Sequence, residues 1–197
     1  GAPPLMTLTL VVLLILPPIE FGRLLLAGRR MSGRWSIWPA IGFRGRLRGW
    51  QCALAVALAI VGALVFYALA APADAWVLHR LFGWLPPWFL YGDVRAYAHL
   101  SRRVLIWTFG LRLLADGFIL PVAEELYFRG YLLPRLAAPG WLAPILSAAL
   151  FAAYHVWQPY NWPTIFVFLL PMCVLVQRFR DVRIAIFTHM ALNLIGF

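Results

Sequence analysis

The chain has 197 residues, 63% of them hydrophobic, against roughly 45–50% in an ordinary soluble domain; its mean hydropathy is +0.82. The formal net charge is +10, and all 17 basic residues are arginine. Such a balance can signal nucleic acid, but these arginines sit between long apolar runs, where the positive-inside rule puts them; the composition argues against a nucleic-acid partner and for an all-α, polytopic bundle in a lipid bilayer.

A transmembrane helix needs about 20 apolar residues. The first candidate runs from Leu5 to about Ile19, extending to Leu26 if Glu20 and Arg23 face protein or the interface. No basic segment precedes it, so Leu5–Leu16 reads as a span and not as a cleaved leader. A basic stretch follows, Arg23 to Arg48, with seven arginines and the aromatics Trp35, Trp38 and Phe43. Trp50–Ala71 is an uncharged span. Pro72–Arg103 mixes Trp76, Trp84, Trp88, Tyr91 and Tyr97 with Asp74, Arg80, Asp93 and Arg95. Such material suits the headgroup layer, and His79 and His99 within it read as interfacial. From Val104 to Leu136 the chain is apolar but carries Arg112, Asp116, Glu124, Glu125 and Arg129. One helix of that length reaches about 50 Å, beyond a hydrocarbon core of about 30 Å, so the pattern predicts an interfacial lead-in and a span from about Asp116 to Leu136. Trp141–Trp157, Trp162–Val176 and Arg183–Phe197 complete about six spans in a single integral membrane domain covering residues 1–197. Cys52 and Cys173 lie inside apolar runs as space-filling thiols, and two such residues give neither a disulfide framework nor a paired-cysteine zinc site.

With six spans, the arginine-bearing segments Arg23–Arg48, Pro134–Gly140 and Arg178–Arg183 fall on one side, and Pro72–Arg103 and Gln158–Asn161 on the other. The charge bias puts the first group in the cytoplasm and both termini outside. The expected location is a cell membrane crossed several times, of the bacterial inner-membrane type.

Charged side chains at mid-bilayer cost at least about 2.5–3.5 kcal/mol each and are functional candidates by default. In Pro121-Val-Ala-Glu124-Glu125-Leu-Tyr-Phe-Arg129-Gly130 the i,i+4 spacing pairs Glu125 with Arg129. Glu124, rotated about 100° away, is left without a counter-ion, a situation that suits a general base acting on water. The bland alternative is one buried ion cluster that only orients helices. His155 ends the apolar segment Phe151-Ala-Ala-Tyr-His155; a lone histidine near a span end is more often interfacial. His189 and Asn193 are again i,i+4 and present imidazole and amide to one side, though such pairs also serve as interhelical glue. Together, glutamate, two histidines and asparagine are the parts of water-dependent amide hydrolysis: carboxylate and imidazole to deprotonate water, imidazole and carboxamide to hold the oxyanion.

At these residues the chain resembles the CPBP family of intramembrane proteases, which includes the type II CAAX prenyl endopeptidases. The family pattern Glu-Glu-x-x-x-Arg, Phe-x-x-x-His, His-x-x-x-Asn reads here as Glu124-Glu125-Leu-Tyr-Phe-Arg129, Phe151-Ala-Ala-Tyr-His155 and His189-Met-Ala-Leu-Asn193. The resemblance covers about Gly117–Phe197, a catalytic core; the first hundred residues match only as generic spans. It implies Glu124 as water-activating base, His155 as its partner, His189 and Asn193 as the oxyanion site, and Glu125 and Arg129 as supports. It also implies a membrane-associated protein or peptide substrate, prenylated in one branch only. Zinc is chemically compatible with Glu124, His155 and His189, but no His-Glu-x-x-His is present and a metal-free glutamate mechanism explains the asparagine better, so no cofactor is expected. Two other readings stand open. One is a non-enzymatic scaffold or peptide-immunity member of the same family; the other is a channel or transporter using Glu124 and Glu125 as an ion relay, against which Pro144 and Pro171 interrupt two spans without any repeat relating them. One tension is internal: counted along full-length helices from the cytoplasmic end, His189 lies about 9 Å deep and His155 about 21 Å.

Overall fold

A computed structural model describes residues 3–86 and 97–196. The expectations resting on Trp88, Tyr91, Asp93, Arg95 and Phe197 lie outside the described residues.

Among the described residues the chain is helical, with one isolated bridge, Arg44 to Asp181, in place of any sheet. Helix α1 spans Pro4–Ser32 and α2 spans Gly49–Leu81. A helical run from Arg102 to Arg135 follows. It comprises α3 (Arg102–Leu114), a π-helical turn at Ala115–Ile119, α4 (Leu120–Glu125), a π-helical stretch at Leu126–Leu132 and a closing 3-10 turn. Then come α5 (Leu142–Tyr154), α6 (Trp162–Phe179) and α7 (Val182–Ile195). The bundle is therefore a helical membrane fold with six helical columns. Four of them (Pro4–Ser32, Gly49–Leu81, Arg102–Arg135 and Pro159–Phe179) are long and apolar enough to cross a bilayer, whereas α5 and α7 are shorter apolar helices.

Several boundaries differ from the sequence expectation. Arg102–Arg135 is one continuous run and not a lead-in plus a span. Arg112 and Asp116, at the expected junction, neutralise each other across one turn, Arg112 Nε to Asp116 Oδ2 at 3.1 Å. Helix α1 continues to Ser32, so Arg23, Arg29 and Arg30 are helical, the last two in the final turn where cations favour the macrodipole. Pro72 does not end α2, which carries Trp76 and His79 on to Leu81; the expected headgroup segment begins as helix. Pro171 likewise sits inside α6 without interrupting it, and Pro144 lies in the first turn of α5.

The most extensive helix–helix contact joins α2 and α6, and its closeness has a local cause. At Gly62 a Cβ would meet Pro171 Cβ at 3.1 Å, so the two backbones approach because Gly62 has no side chain. A buried cluster including Ala55, Ala59, Phe128, Phe151, Met172 and Ile184 fills the space between α2, the π-helical stretch, α5, α6 and α7.

The arginine-rich segment between α1 and α2 is strapped to the bundle. Gly42 N–H donates to Gly130 O at 2.8 Å and Val182 N–H donates to Phe43 O at 3.1 Å. Asp181, N-cap of α7, accepts from Arg46 N–H and Leu47 N–H at 3.1 Å each, from its own helix at Arg183 N–H, and from the Arg183 guanidinium at 2.9 and 2.7 Å. Burial alone raises the Asp181 carboxyl, but the Arg183 guanidinium and the Leu47 and Arg183 N–H groups outweigh it and hold the carboxyl below its ordinary value. A carboxyl depressed by folding stabilises the protein at pH above the unfolded value of about 3.9 and loses that contribution as pH falls through the lower folded value. Asp181→Asn is therefore expected to cost about 1–3 kcal/mol at neutral pH. It should also flatten the acid limb of a thermal-melt profile recorded in detergent; an unchanged limb would mean that Asp181 does not lock the strap.

Candidate functional site

A cavity of about 300 Å³ is lined by Glu124, His155, His189 and Asn193, together with Arg112 and Asp116 and apolar side chains of α1. All four residues expected from sequence to do chemistry thus face one space, contributed by α4, the end of α5 and α7. The depth conflict between the histidines disappears because neither helix is a full span. Helix α5 ends at Tyr154 after 13 residues. His155 then leaves the helix at φ −78°, ψ 56°, and Gln158, ahead of Pro159, sits at φ −141°, ψ 59°, so the chain turns before α6. The turn is held by Gln158 N–H to His155 O at 3.1 Å and Trp162 Nε1–H to the same carbonyl at 3.1 Å.

Glu124 and Glu125 are both buried, 3% and 0% exposed, yet differ in company. Glu125 Oε1 receives Arg129 Nη1–H at 3.0 Å and lies 2.9 Å from His189 Nδ1. Arg129 is fully buried; its guanidinium stacks over the Phe151 ring at 4.2 Å and reaches Cys173 Sγ at 3.5 Å. Glu124 has no such partner: His189 Nδ1 stands 3.9 Å from its Oε2. The i,i+4 logic read from sequence is thus present in space, with a partner it did not supply, since Glu125 also ties down His189. The π-helical segments on both sides of α4 rotate the register there, a device frequent at functional sites.

The ring tautomers follow from the hydrogen bonds. His155 Nδ1 lies 2.9 Å from Phe151 O, and a carbonyl only accepts, so Nδ1 carries the proton and Nε2 is bare. By the same reasoning, the Glu125 carboxylate assigns a proton to His189 Nδ1. For His189 also to donate through Nε2, the ring must hold both protons, with Glu125 and Glu124 as counter-charges. Asn193 Nδ2 donates to Asp116 O at 2.6 Å, which spends one of its two amide hydrogens. His155 is wedged between aromatic rings, with centroids 4.7 Å from Phe151 and 4.8 Å from Trp157.

Replacing Glu125 with Gln removes the acceptor that fixes the His189 proton, because the new amide can donate to Nδ1 and reverse the tautomer. The expected result is a loss of about 10² in turnover, the scale of one oriented polar partner in a site, with substrate affinity unchanged. Equal turnover in steady-state assays would exclude the tether.

Sequence reasoning passed over three polar residues. Arg112 and Asp116 line the cavity as an i,i+4 pair, the same signal that exposed Glu125 and Arg129. Glu20 of α1 is 3% exposed, and neither carboxylate oxygen has a hydrogen-bond partner among the described residues. The Tyr154 hydroxyl lies beside it, and its charge acts on Glu124. No periodicity in α1 reveals this, since the neighbours come from other helices. His79 and His99 are not among the cavity-lining residues. Among the described residues no three His, Cys, Asp or Glu side chains converge in an arrangement that could hold a metal ion.

Residues 105–195 match a protein-family model described as type II CAAX prenyl endopeptidase Rce1-like. No curated protein and no solved structure matches the chain.

Proposed function

We propose, from the match of residues 105–195 to the Rce1-like type II CAAX prenyl endopeptidase model, that this chain hydrolyses a peptide bond of a membrane-anchored substrate with water activated by Glu124. The observation that carries the reading is the shared cavity of Glu124, His155, His189 and Asn193.

In this mechanism a water molecule sits between Glu124 and the bare Nε2 of His155. Glu124 takes a proton as the oxygen attacks the scissile carbonyl carbon. The carbonyl oxygen, now negative, is met by His189 and the remaining Asn193 amide hydrogen, and oriented donors of this kind each lower the barrier by about 2.7–4 kcal/mol. Collapse breaks the C–N bond, and Glu124 returns its proton to the leaving amine. Glu125 and Arg129 touch neither water nor substrate; they hold His189 and the local helix in place.

The cavity is walled by Leu5, Leu8, Gln158, Asn193 and Gly196, which come from the start of α1, the turn after α5 and the end of α7. This is the arginine-poor end of the bundle. Under the positive-inside rule it faces away from the cytoplasm, so the substrate enters from the non-cytoplasmic leaflet. Proteoliposomes of known orientation, supplied with lipid-anchored peptides on one side at a time, test both statements. New peptide termini are expected only from the arginine-poor side. Cleavage from the opposite side alone overturns the entry route, and no new termini from either side contradicts the peptidase reading.

A further inference from the structure

At the other end of the bundle, a groove of about 810 Å³ opens between the N-terminus of α5 and the C-terminus of α6. Its walls are Trp141 and Pro144 on one side and Val174 and Phe179 on the other, and Arg46, Arg178 and Arg180 line it. Gln177 Nε2–H donates to Gly140 O at 3.2 Å and ties the two walls together. The groove is thus apolar along the helices and cationic at their ends.

The three guanidinium groups differ from those of Arg44, Arg135 and Arg183 at the same end. Arg44 donates to Ile41 O, Arg135 to Tyr131 O, and Arg183 to Asp181 and Leu47 O. Arg46, Arg178 and Arg180 are exposed, and no side-chain hydrogen bond or ion pair holds them among the described residues. The nearby carboxylate, Asp181, is already saturated by Arg183 and by the Arg46 and Leu47 N–H groups, so it does not neutralise the groove. Arg180 also caps α6 in the left-handed region, φ 54° and ψ 44°, and is the sole non-glycine residue with positive φ among the described residues. Glycine or asparagine is usual at such a cap because a side chain there is strained. Here the strained position carries a guanidinium at the groove. Trp141 is 70% exposed at the rim, the position an indole takes at the headgroup level.

We infer that this groove binds one anionic phospholipid, with the phosphate of the headgroup between Arg46, Arg178 and Arg180 and an acyl chain along Pro144, Val174 and Phe179. Guanidinium forks suit phosphate oxygens, and basic pockets at the cytoplasmic ends of membrane helices take such headgroups. The inference does not rest on the peptidase reading, since the groove and the cavity share no lining residue.

The test titrates the full chain, purified in neutral detergent, with short-chain phosphatidylglycerol, phosphatidylcholine of the same tails, or inorganic phosphate, reading the thermal midpoint and the Kd. Phosphatidylglycerol is expected to raise the midpoint, whereas the other two leave it unchanged. The triple variant Arg46→Gln, Arg178→Gln, Arg180→Gly should bind about two orders of magnitude more weakly. Arg180→Gly alone relieves the strained cap, so it folds at least as well as the parent chain and yet should bind about fivefold more weakly. An equal response to phosphatidylcholine, an equal response to inorganic phosphate, or undiminished phosphatidylglycerol binding by either variant overturns the assignment.

Discussion

Replacing Glu124 with Gln is expected to lower turnover by at least about 10³-fold while leaving the bundle folded. The substitution keeps shape and removes the ability to take a proton, and general-base catalysis is worth about 10²–10⁴. Removing the charge strands no cation, because Arg129 and His189 both remain bonded to Glu125, at 3.0 and 2.9 Å. Glu124 is 3% exposed and adjoins two further buried carboxylates, Glu20 and Glu125, whose charges act on it. Neutralising it therefore relieves repulsion, and the thermal midpoint should stay level or rise. Turnover and melting measured on the same preparation separate the roles. Activity within tenfold of the parent chain would remove Glu124 from the mechanism.

Arg129→Met should be the most destabilising substitution in the core, costing about 3–5 kcal/mol. Arg129 and Glu125 are both fully buried, so their attraction is not screened by water, and removing one leaves a bare charge in the bundle. The loss extends beyond the ion pair, since the guanidinium also fills the space against Phe151 and Cys173. The paired variant Arg129→Met, Glu125→Leu should recover much of the stability, because buried ion pairs replaced whole by apolar groups are often neutral. It should not recover activity, since His189 loses its tether. Denaturant unfolding in detergent reads the stability, and a cost below about 1 kcal/mol for Arg129→Met would show that the pair is solvated.

The sequence carried the chemistry further than the boundaries. Charges forbidden in lipid point to a site wherever they occur, and i,i+4 spacing identified the Glu125–Arg129 pair and put His189 and Asn193 on one face. Those statements depend on residue type and on one helix at a time. Misplaced boundaries arose where a local rule met tertiary compensation. The length of Val104–Leu136 argued for a junction near Asp116, but the helix runs on through it, and the Arg112–Asp116 ion pair makes a charged turn tolerable there. Pro72 and Pro171 looked like breaks, yet both lie within continuous helices, and Pro171 packs against Gly62. The relative depth of His155 and His189 was illegible because it depends on where α5 stops, and that is decided by a short turn into Pro159 and by Trp162 closing on the His155 carbonyl. Glu20 misled for another reason: Arg23 stands at i+3 on the same helix, yet the carboxylate is buried without a hydrogen-bond partner among the described residues, and its significance lies in Tyr154 and Glu124 on two other helices.

If a water held between Glu124 and His155 attacks the peptide carbonyl itself, single-turnover cleavage in water enriched in oxygen-18 must mark the product. The prediction is one heavy oxygen in the newly formed carboxyl terminus and no peptide fragment attached to the protein at any time during the reaction. A fragment trapped covalently on the chain, or a product carboxyl without the label, would contradict it.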